Sequence, residues 1–215
     1  NAPMIVSESK DLSSALQPVA GKPFTFTASK LIYPDSFRNL QLVPFYTIHD
    51  TRYMVYWRFA TPDQLQSIRD ELRKAEEERL ALETITVDYV APGEQQPESD
   101  HGFKGENTEC GVFRERHWRH AKGWFSYDLK NRKGEGRRIR ITYSGSDKNR
   151  TFDLFANGIL LQTVKLDGVA GDKFFDVDYP LPESMITEPK ETITVKFVAH
   201  PGSIAGGVFG VRLLK

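Results

Sequence analysis

A series of short alternating segments, filling about the last 130 residues, is the feature that most constrains what this chain can fold into. From residue 84 onward, eight stretches alternate apolar and polar side chains with a period of two. This alternation predicts β-strands with one face buried and the other facing solvent. The eight predicted strands are Thr84–Val90, Trp124–Leu129, Arg138–Tyr143, Thr151–Phe155, Ile159–Leu166, Phe174–Tyr179, Thr192–Val198 and Val208–Leu213.

Turn-forming residues separate these segments. The pair Asn157-Gly158 lies between two of them and is typical of a two-residue hairpin turn, in which both residues adopt positive φ. Eight short strands without intervening helices favour a β-sandwich of the jelly-roll, galactose-binding-like type. The chain is therefore predicted to be mainly β.

One long charged helix precedes this β-rich part. Thr61, Pro62, Asp63 and Gln64 form a helix start with a capping hydroxyl, a proline at the first helical position and a glutamine three residues after the cap. A narrow apolar stripe follows on an otherwise charged segment. We predict a solvated connecting helix over residues 61–82.

The first sixty residues indicate a short β-rich segment. The stretches Phe24–Thr27, Leu40–Phe45 and Arg52–Phe59 are predicted to be extended. So few strands would not form a stable core alone, so this segment is expected to pack against another part of the chain or against further sequence. The predicted organisation is 1–60, a β-rich segment; 61–82, a connecting helix; and 83–215, a jelly-roll domain.

Composition excludes several classes of partner. Lys and Arg number 29 and Asp and Glu also number 29, so no net charge attracts nucleic acid. No apolar run approaches the roughly 18–20 residues of a membrane-spanning helix, and the first residues do not form a signal peptide. The single cysteine, Cys110, excludes an intrachain disulfide and a thiolate-rich metal site.

A polar stretch, Ala91–Gly123, separates the first two predicted strands and is expected to be a long loop. Loops of this length are commonly functional. The histidines of the segment His117-Trp118-Arg119-His120 are three residues apart, which predicts no shared metal centre on an extended chain. We expect no metal and no cofactor.

The same stretch holds the candidate ligand-binding residues. A sugar offers C–H faces that stack on aromatic rings and hydroxyls that pair with polar side chains, so this loop fits a glycan site. Trp118 is the candidate stacking ring, although a core role for it is equally compatible with the pattern, whereas Trp124 is expected in the core. The candidate ligand-binding residues are His101, Asn107, Arg116, His117, Trp118 and His120.

Catalysis has little support in the residue patterns. The sequence contains no GxSxG, HExxH, Walker A or GxGxxG motif. Cys110 with His117 is a conceivable nucleophile and base, and His49 a conceivable catalytic histidine, but an idle cysteine and a turn histidine bonded to Asp50 or to backbone explain these residues better. No catalytic residue is predicted.

Several strings resemble one known family. The stretches LVPFYTIHDTRYMVYWRF (Leu42–Phe59), PGEQQPESDH (Pro92–His101), WFSYDL (Trp124–Leu129) and FVAHPGSIAGGVFGVRLL (Phe197–Leu214) resemble the C-terminal region of bacterial β-L-arabinofuranosidase-like proteins, glycoside hydrolase family 127 and its relatives. The resemblance covers nearly the whole chain, and its motifs belong to accessory modules.

The resemblance implies that the chain is the tail of a larger secreted or periplasmic glycosidase with an upstream α-helical barrel as its catalytic domain. The first segment would then be the end of an inner β-sandwich, and the last 130 residues a galactose-binding-like module. That family's active site uses a glutamate and a nucleophilic cysteine beside a cysteine-bound zinc. None of these residues maps onto this chain, which implies a non-catalytic module.

Three hypotheses remain open at this point. The chain is a non-catalytic accessory module of a glycoside hydrolase that supports interdomain packing, or an independent carbohydrate-binding module, or a free-standing glycosidase. The expected partners are the upstream catalytic domain of the same polypeptide and a plant-type glycan, with no nucleic acid and no membrane.

Overall fold

The computed structural model describes residues 3–28, 30–49 and 57–215, and the chain divides into two units, Asn1–Leu80 and Ala81–Lys215. The division between units falls inside the long helix. The predicted division at residues 60 and 82 stays a prediction.

In its described residues, the first unit contains six very short strands in two three-stranded sheets. One sheet has the order β4-β1-β6 and the other β2-β3-β5. Met4, Ala28, Ile32 and Ala60 are buried apolar side chains among its described residues. The predicted strand Arg52–Phe59 lies mostly outside the described residues, as does Asp50. The strands are β1 Met4–Val6, β2 Gln17–Pro18, β3 Phe26–Thr27, β4 Ile32–Tyr33, β5 Gln41–Leu42 and β6 Arg58–Ala60.

The predicted helix is confirmed and is longer than expected. Helix α1 extends over Pro62–Ile85, about 36 Å at 1.5 Å per residue. Its start is a capping box, because the Gln64 amide donates to Thr61 Oγ1 at 3.2 Å and the Thr61 amide donates to Gln64 Oε1 at 3.0 Å. All 24 of its residues are exposed or half-buried. Among the described residues, no helix is long and apolar enough to cross a membrane.

The second unit is a β-sandwich, as the alternation predicts. Its sheet follows the order β12-β11-β14-β9-β15-β10-β13, with β8 beside β9 and β7 beside β15. Short helices α2 (Gln95–Asp100) and α3 (Glu183–Thr187) lie between strands. The strands are β7 Thr86–Val90, β8 Lys104–Phe113, β9 Arg116–Lys130, β10 Arg138–Ser144, β11 Arg150–Ala156, β12 Ile159–Leu166, β13 Phe174–Pro180, β14 Thr192–Ala199 and β15 Ala205–Leu214.

The long strand β9 joins the two layers of the sandwich. Its second half, Trp124–Lys130, pairs with β14, whereas the segment Arg119–Ala121 pairs with β15. One layer therefore contains β12, β11 and β14, and the other β15, β10 and β13. This arrangement confirms the mainly β, jelly-roll fold class.

Alternating side chains from both layers form one aromatic-rich core. The Phe125 and Phe197 rings stack with their centroids 4.6 Å apart, and the Tyr143 ring of one layer lies 6.2 Å from the Phe152 ring of the other. All four side chains are fully buried, and each contributes roughly 1.5–3 kcal/mol of burial energy.

The prediction of a long loop over Ala91–Gly123 is wrong. Most of this stretch forms helix α2 and the β8–β9 hairpin. Strand β8 is polar and mostly exposed, so it has no apolar alternation to reveal it. The turn between β8 and β9 is the pair Arg114-Glu115, whose φ angles are 48° and 63°. Such a turn normally carries Asn or Gly, and this one therefore lacks the usual sequence marker.

A buried ion pair connects α2 to this hairpin. Glu98 on α2 accepts two hydrogen bonds from Arg119 on β9, including one of 2.7 Å from Nη2 to Oε2. The Tyr127 hydroxyl and the Gly93 amide donate to Glu98 Oε1 at 2.7 and 2.8 Å. Burial raises the pKa of Glu98, but these hydrogen bonds outweigh it and hold that pKa below its ordinary value. The Arg119 guanidinium also lies 4.2 Å from the centroid of the Phe103 ring.

We predict that Glu98→Gln lowers the free energy of unfolding by about 3–5 kcal/mol at pH 7, because it leaves a buried guanidinium unpaired. The depressed pKa means that the Glu98 contribution is present above the unfolded pKa and is lost as pH falls through the folded pKa. Urea unfolding of the wild type should show this acid loss, and Glu98→Gln should reduce it. Asp100→Asn, an exposed change on the same helix, is the control and should behave like wild type. Equal stability of both variants at pH 7 would contradict the prediction.

A second prediction concerns independent folding. Residues 81–215 should unfold in one cooperative thermal transition when expressed alone, because all nine strands of the sandwich and its aromatic core lie within them. Circular dichroism against temperature measures this, with the full chain as reference. A fragment without a cooperative transition would show that the two units share a core.

Candidate functional site

A cavity of about 230 Å³ lies in the second unit, where three separate segments meet. The segments are the β8–β9 hairpin, the β10–β11 connection and the start of β15. Aromatic rings and polar groups share its walls. The lining residues are Phe113, Trp118, His120, Ser144, Ser146, Asp147, Arg150, Gly207 and Phe209.

Strand alternation places Trp118 and His120 in this cavity. Because neighbouring side chains of a strand point to opposite faces, the inward direction of Arg119 sends both of its neighbours outward. The Trp118 and His120 rings lie 4.8 Å apart between centroids. Gly111 on β8 makes room for the indole, since a Cβ there would lie 2.8 Å from Trp118 Cζ2. Trp118 is half-buried.

An incompletely paired carboxylate lies in the β10–β11 connection. Asp147 Oδ1 accepts from Arg150 Nη2 at 2.7 Å, whereas Asp147 Oδ2 is buried without a hydrogen-bond partner. Gly207 leaves space at this oxygen, because a Cβ there would lie 2.9 Å from Oδ2. Buried polar atoms are normally hydrogen-bonded, and Asp147, which carries this unpaired oxygen, lines the cavity.

Burial raises the pKa of Asp147, and the neighbouring Arg150 and His120 partly oppose this rise. Burial also lowers the pKa of His120, with Arg150 acting in the same direction and Glu109 against it. A neutral imidazole accepts at Nδ1 from Arg150 Nη1 at 3.4 Å and donates from Nε2 to Glu109 Oε2 at 3.3 Å. The imidazole is thereby fixed in one tautomer against the indole.

This arrangement suits a small ring that has both apolar faces and hydroxyl groups. Phe113, Trp118 and Phe209 provide flat apolar surface. Asp147 supplies a hydrogen-bond acceptor, and Arg150 is a charged donor beside it. The hydroxyls of Ser144 and Ser146, 2.8 Å apart, both donate and accept.

Of the six sequence-predicted ligand residues, the structure brings Trp118 and His120 into the cavity. Arg116 and His117 instead line a neighbouring cavity of about 390 Å³, which shares Phe209 with the first. Asn107 is exposed in a β-bulge of β8, at φ of 54°.

His101 does not line either cavity, contrary to its expected grouping with Trp118. It is buried, its Nδ1 donates to the Pro97 carbonyl at 2.6 Å, and its Nε2 lies 3.2 Å from Asp88 Oδ2. The side chain therefore connects α2 to β7. The expected loop is instead a helix and a hairpin, which place His101 apart from Trp118. The ligand-binding roles of the six residues stay predictions.

The remaining candidates stay separate from the cavity. Cys110 is exposed and pairs with Arg119 across the hairpin, whereas His117 pairs with Val112, so the two are not directly opposite. Trp124, expected in the core, is half-buried beneath the Lys196 ammonium, 4.1 Å from its ring centroid. Within residues 3–28, 30–49 and 57–215, no three His, Cys, Asp or Glu side chains form a possible metal site.

Sequence analysis missed most of the cavity wall. Asp147 and Arg150 lie three residues apart in what the sequence presents as an ordinary turn. Phe113 ends β8 and Phe209 lies in the middle of β15, far apart in the chain. Only the pairing of β9 with β15 and of β10 with β15 brings these residues together.

Comparison with family profiles places the second unit in a family. Residues 81–214 match the family of unknown function DUF6805, and residues 1–59 match a domain of unknown function, DUF4986. The chain belongs to the DUF6805 family. The second unit is called the DUF6805 domain from here on. No curated protein matches the chain.

Several solved structures are similar to the DUF6805 chain over part of its length. The ANX1 ectodomain from Arabidopsis thaliana is 14% identical with a TM-score of 0.45, over 59% of this chain and 40% of that one. This chain thus spans less than half of that ectodomain. A family 35 carbohydrate binding module from an environmental isolate is 14% identical at TM-score 0.40, over 59% and 92%. Another from Clostridium thermocellum is 10% identical at TM-score 0.37, over 59% and 97%.

We predict that Arg150→Met raises the pKa of Asp147 further, because the substitution removes the cation that opposes the effect of burial. A pH titration of side-chain carboxyl carbons by NMR measures this shift. Arg114→Met, which removes an exposed partner of Asp172, is the matched control and should leave Asp147 unchanged. An Asp147 pKa that is the same in Arg150→Met and wild type would contradict the geometry described here.

Proposed function

We propose that the DUF6805 domain binds a carbohydrate unit in the cavity beside Trp118. One observation carries this proposal: a half-buried tryptophan and an aspartate with a buried oxygen that has no hydrogen-bond partner line the same small cavity. A sugar ring has the complementary groups, since its C–H face packs on an aromatic ring and its hydroxyls donate to a carboxylate.

The proposed sugar contacts three residues of the cavity wall. The sugar face packs against Trp118, and one hydroxyl donates to Asp147 Oδ2, which gives that oxygen the partner it lacks. Arg150 donates to a second hydroxyl while keeping its ion pair with Asp147. Hydrogen bonds to charged groups are worth about 1.5–3 kcal/mol each, enough for a shallow site to hold one sugar.

The size of the cavity limits what it holds. Its volume of about 230 Å³ lies below the roughly 300–1,000 Å³ typical of ligand pockets. A single sugar unit at a chain end or branch suits this volume better than a segment of polysaccharide. The affinity expected of so small a contact is micromolar to millimolar, or roughly 4–8 kcal/mol.

We further propose that the chain is a non-catalytic accessory module of a larger secreted or periplasmic glycoside hydrolase. Support comes from the resemblance of its sequence strings to that group and from an apolar surface on the first unit. A cavity of about 470 Å³ there is lined almost entirely by apolar side chains. Exposed apolar patches of this kind mark protein contacts, and the proposed partner is the upstream catalytic domain of the same polypeptide. The lining residues are Leu16, Phe24, Phe26, Leu42, Val43, Pro44 and Tyr46.

We predict that Trp118→Ala abolishes retention of the protein on arabinan or galactan affinity gels and leaves the melting temperature nearly unchanged. The reason is that the accessible ring face, rather than a core contact, is lost. Trp124→Ala is the matched control, because Trp124 is half-buried on the same strand but does not line the cavity; it should be retained like wild type.

Three results would count against these proposals. Unfolding of Trp118→Ala would show that the indole is a core residue. Absence of retention of the wild type on any glycan tested would leave a module that serves its neighbouring domains alone. Hydrolysis of a nitrophenyl arabinofuranoside by the purified chain, lost in Cys110→Ser, would overturn the non-catalytic assignment.

A further inference from the structure

The sandwich is open on one side, between its two outermost strands. β12 pairs with β11 and β13 pairs with β10, but β12 and β13 do not pair with each other. Between them lies a groove of about 770 Å³, well inside the range of ligand pockets. The cavity of about 230 Å³ beside Trp118 is called the sugar cavity below.

Apolar side chains from both layers line the interior of this groove. Leu161 and Val164 come from β12, Phe175 and Val177 from β13, and Tyr143 from β10. Leu160 and Val169, at the groove, are 51% and 86% exposed. A hydroxyl-rich sugar would leave its polar groups unpaired against these side chains, which is costly. Polar side chains, among them Gln162, Lys165 and Asp178, also line the groove, so it is its apolar interior that favours an apolar group.

The groove and the sugar cavity share two lining residues. Ser144 and Asp147 line both, so the carboxylate that the sugar is proposed to contact also borders the groove. A sugar in the cavity would therefore lie next to the residues at this end of the groove.

We propose, building on the carbohydrate role above, that the natural ligand is a sugar bearing an apolar acyl or aryl substituent. The sugar ring occupies the cavity beside Trp118, and its substituent lies in the groove between β12 and β13. Both the sugar ring and its substituent thus contribute to specificity. An unsubstituted sugar occupies the cavity and leaves the groove empty.

Isothermal titration of the full chain tests this, with three ligands for each of arabinofuranose and galactose. These are the methyl glycoside, the 4-nitrophenyl glycoside and a butanoyl ester of the methyl glycoside. We expect the nitrophenyl or the butanoyl ligand to bind about tenfold more tightly than the methyl glycoside, because burial of a small apolar group is worth on the order of one decade in Kd. Tighter binding of the nitrophenyl glycoside than of the methyl glycoside indicates an aryl substituent. Tighter binding of the butanoyl ester indicates an acyl substituent.

Two variants and a control locate the effect. Leu160→Lys places a charge at the groove on an already exposed position, and Leu161→Asn makes its wall polar. Each should remove the gain and leave methyl glycoside binding unchanged. Ile159→Lys, an exposed change on the same strand that does not line the groove, should keep the gain.

The outcomes separate the two proposals. If methyl glycosides bind and neither substituted ligand gains, the inference is overturned while the carbohydrate role stands. If no ligand binds, the carbohydrate role fails and the inference with it. A gain that persists in both groove variants, or nitrophenyl binding that survives Trp118→Ala, would also overturn the two-part ligand.

Discussion

The buried pair of Glu98 and Arg119 is the constraint on which the candidate site depends. Arg119 must point inward to reach Glu98, and a strand allows this only if Trp118 and His120 point to the other face. A slip of one residue in β9 would place Arg119 in the cavity and the indole against the carboxylate. Gly93 supports this register, because a Cβ there would lie 2.6 Å from the Trp118 carbonyl oxygen. The ion pair thus fixes an aromatic face without touching it.

The cavity carboxylate, Asp147, is hydrogen-bonded less completely than Glu98. Glu98 accepts hydrogen bonds from the Tyr127 hydroxyl and the Gly93 amide in addition to its ion pair with Arg119, whereas Asp147 leaves one buried oxygen without a partner. Burial without a partner costs free energy, which is why the pKa of Asp147 is raised while that of Glu98 is lowered. A complete hydrogen-bond set serves stability, and an incomplete one at a cavity wall leaves an acceptor for a ligand. The two carboxylates of one domain therefore differ in hydrogen bonding and in the direction of their pKa shift because their surroundings differ.

Sequence reasoning succeeded where local chemistry decides the structure. Asn157-Gly158 forms the expected turn, with both φ values positive, and Thr61 with Gln64 forms the expected capping box. It failed at the β8–β9 hairpin, because β8 exposes most of its side chains and the Arg114-Glu115 turn is held by pairing of the strands around it. The cavity could not be predicted, because Asp147 and Phe209 meet Trp118 only through long-range strand pairing.

The open side of the sandwich illustrates how an unpaired edge can remain suited to a small ligand. Edge strands invite pairing with other chains unless charges or bulges interrupt them. On β12, Lys165 is exposed and Leu161 is the extra residue of a β-bulge, since Leu154 pairs with Gln162 and Phe155 with Leu160. On β13, Asp176 and Asp178 are exposed and the strand ends at a proline. These features oppose addition of a further strand but leave the apolar interior of the groove accessible, which is the combination that a small apolar substituent requires.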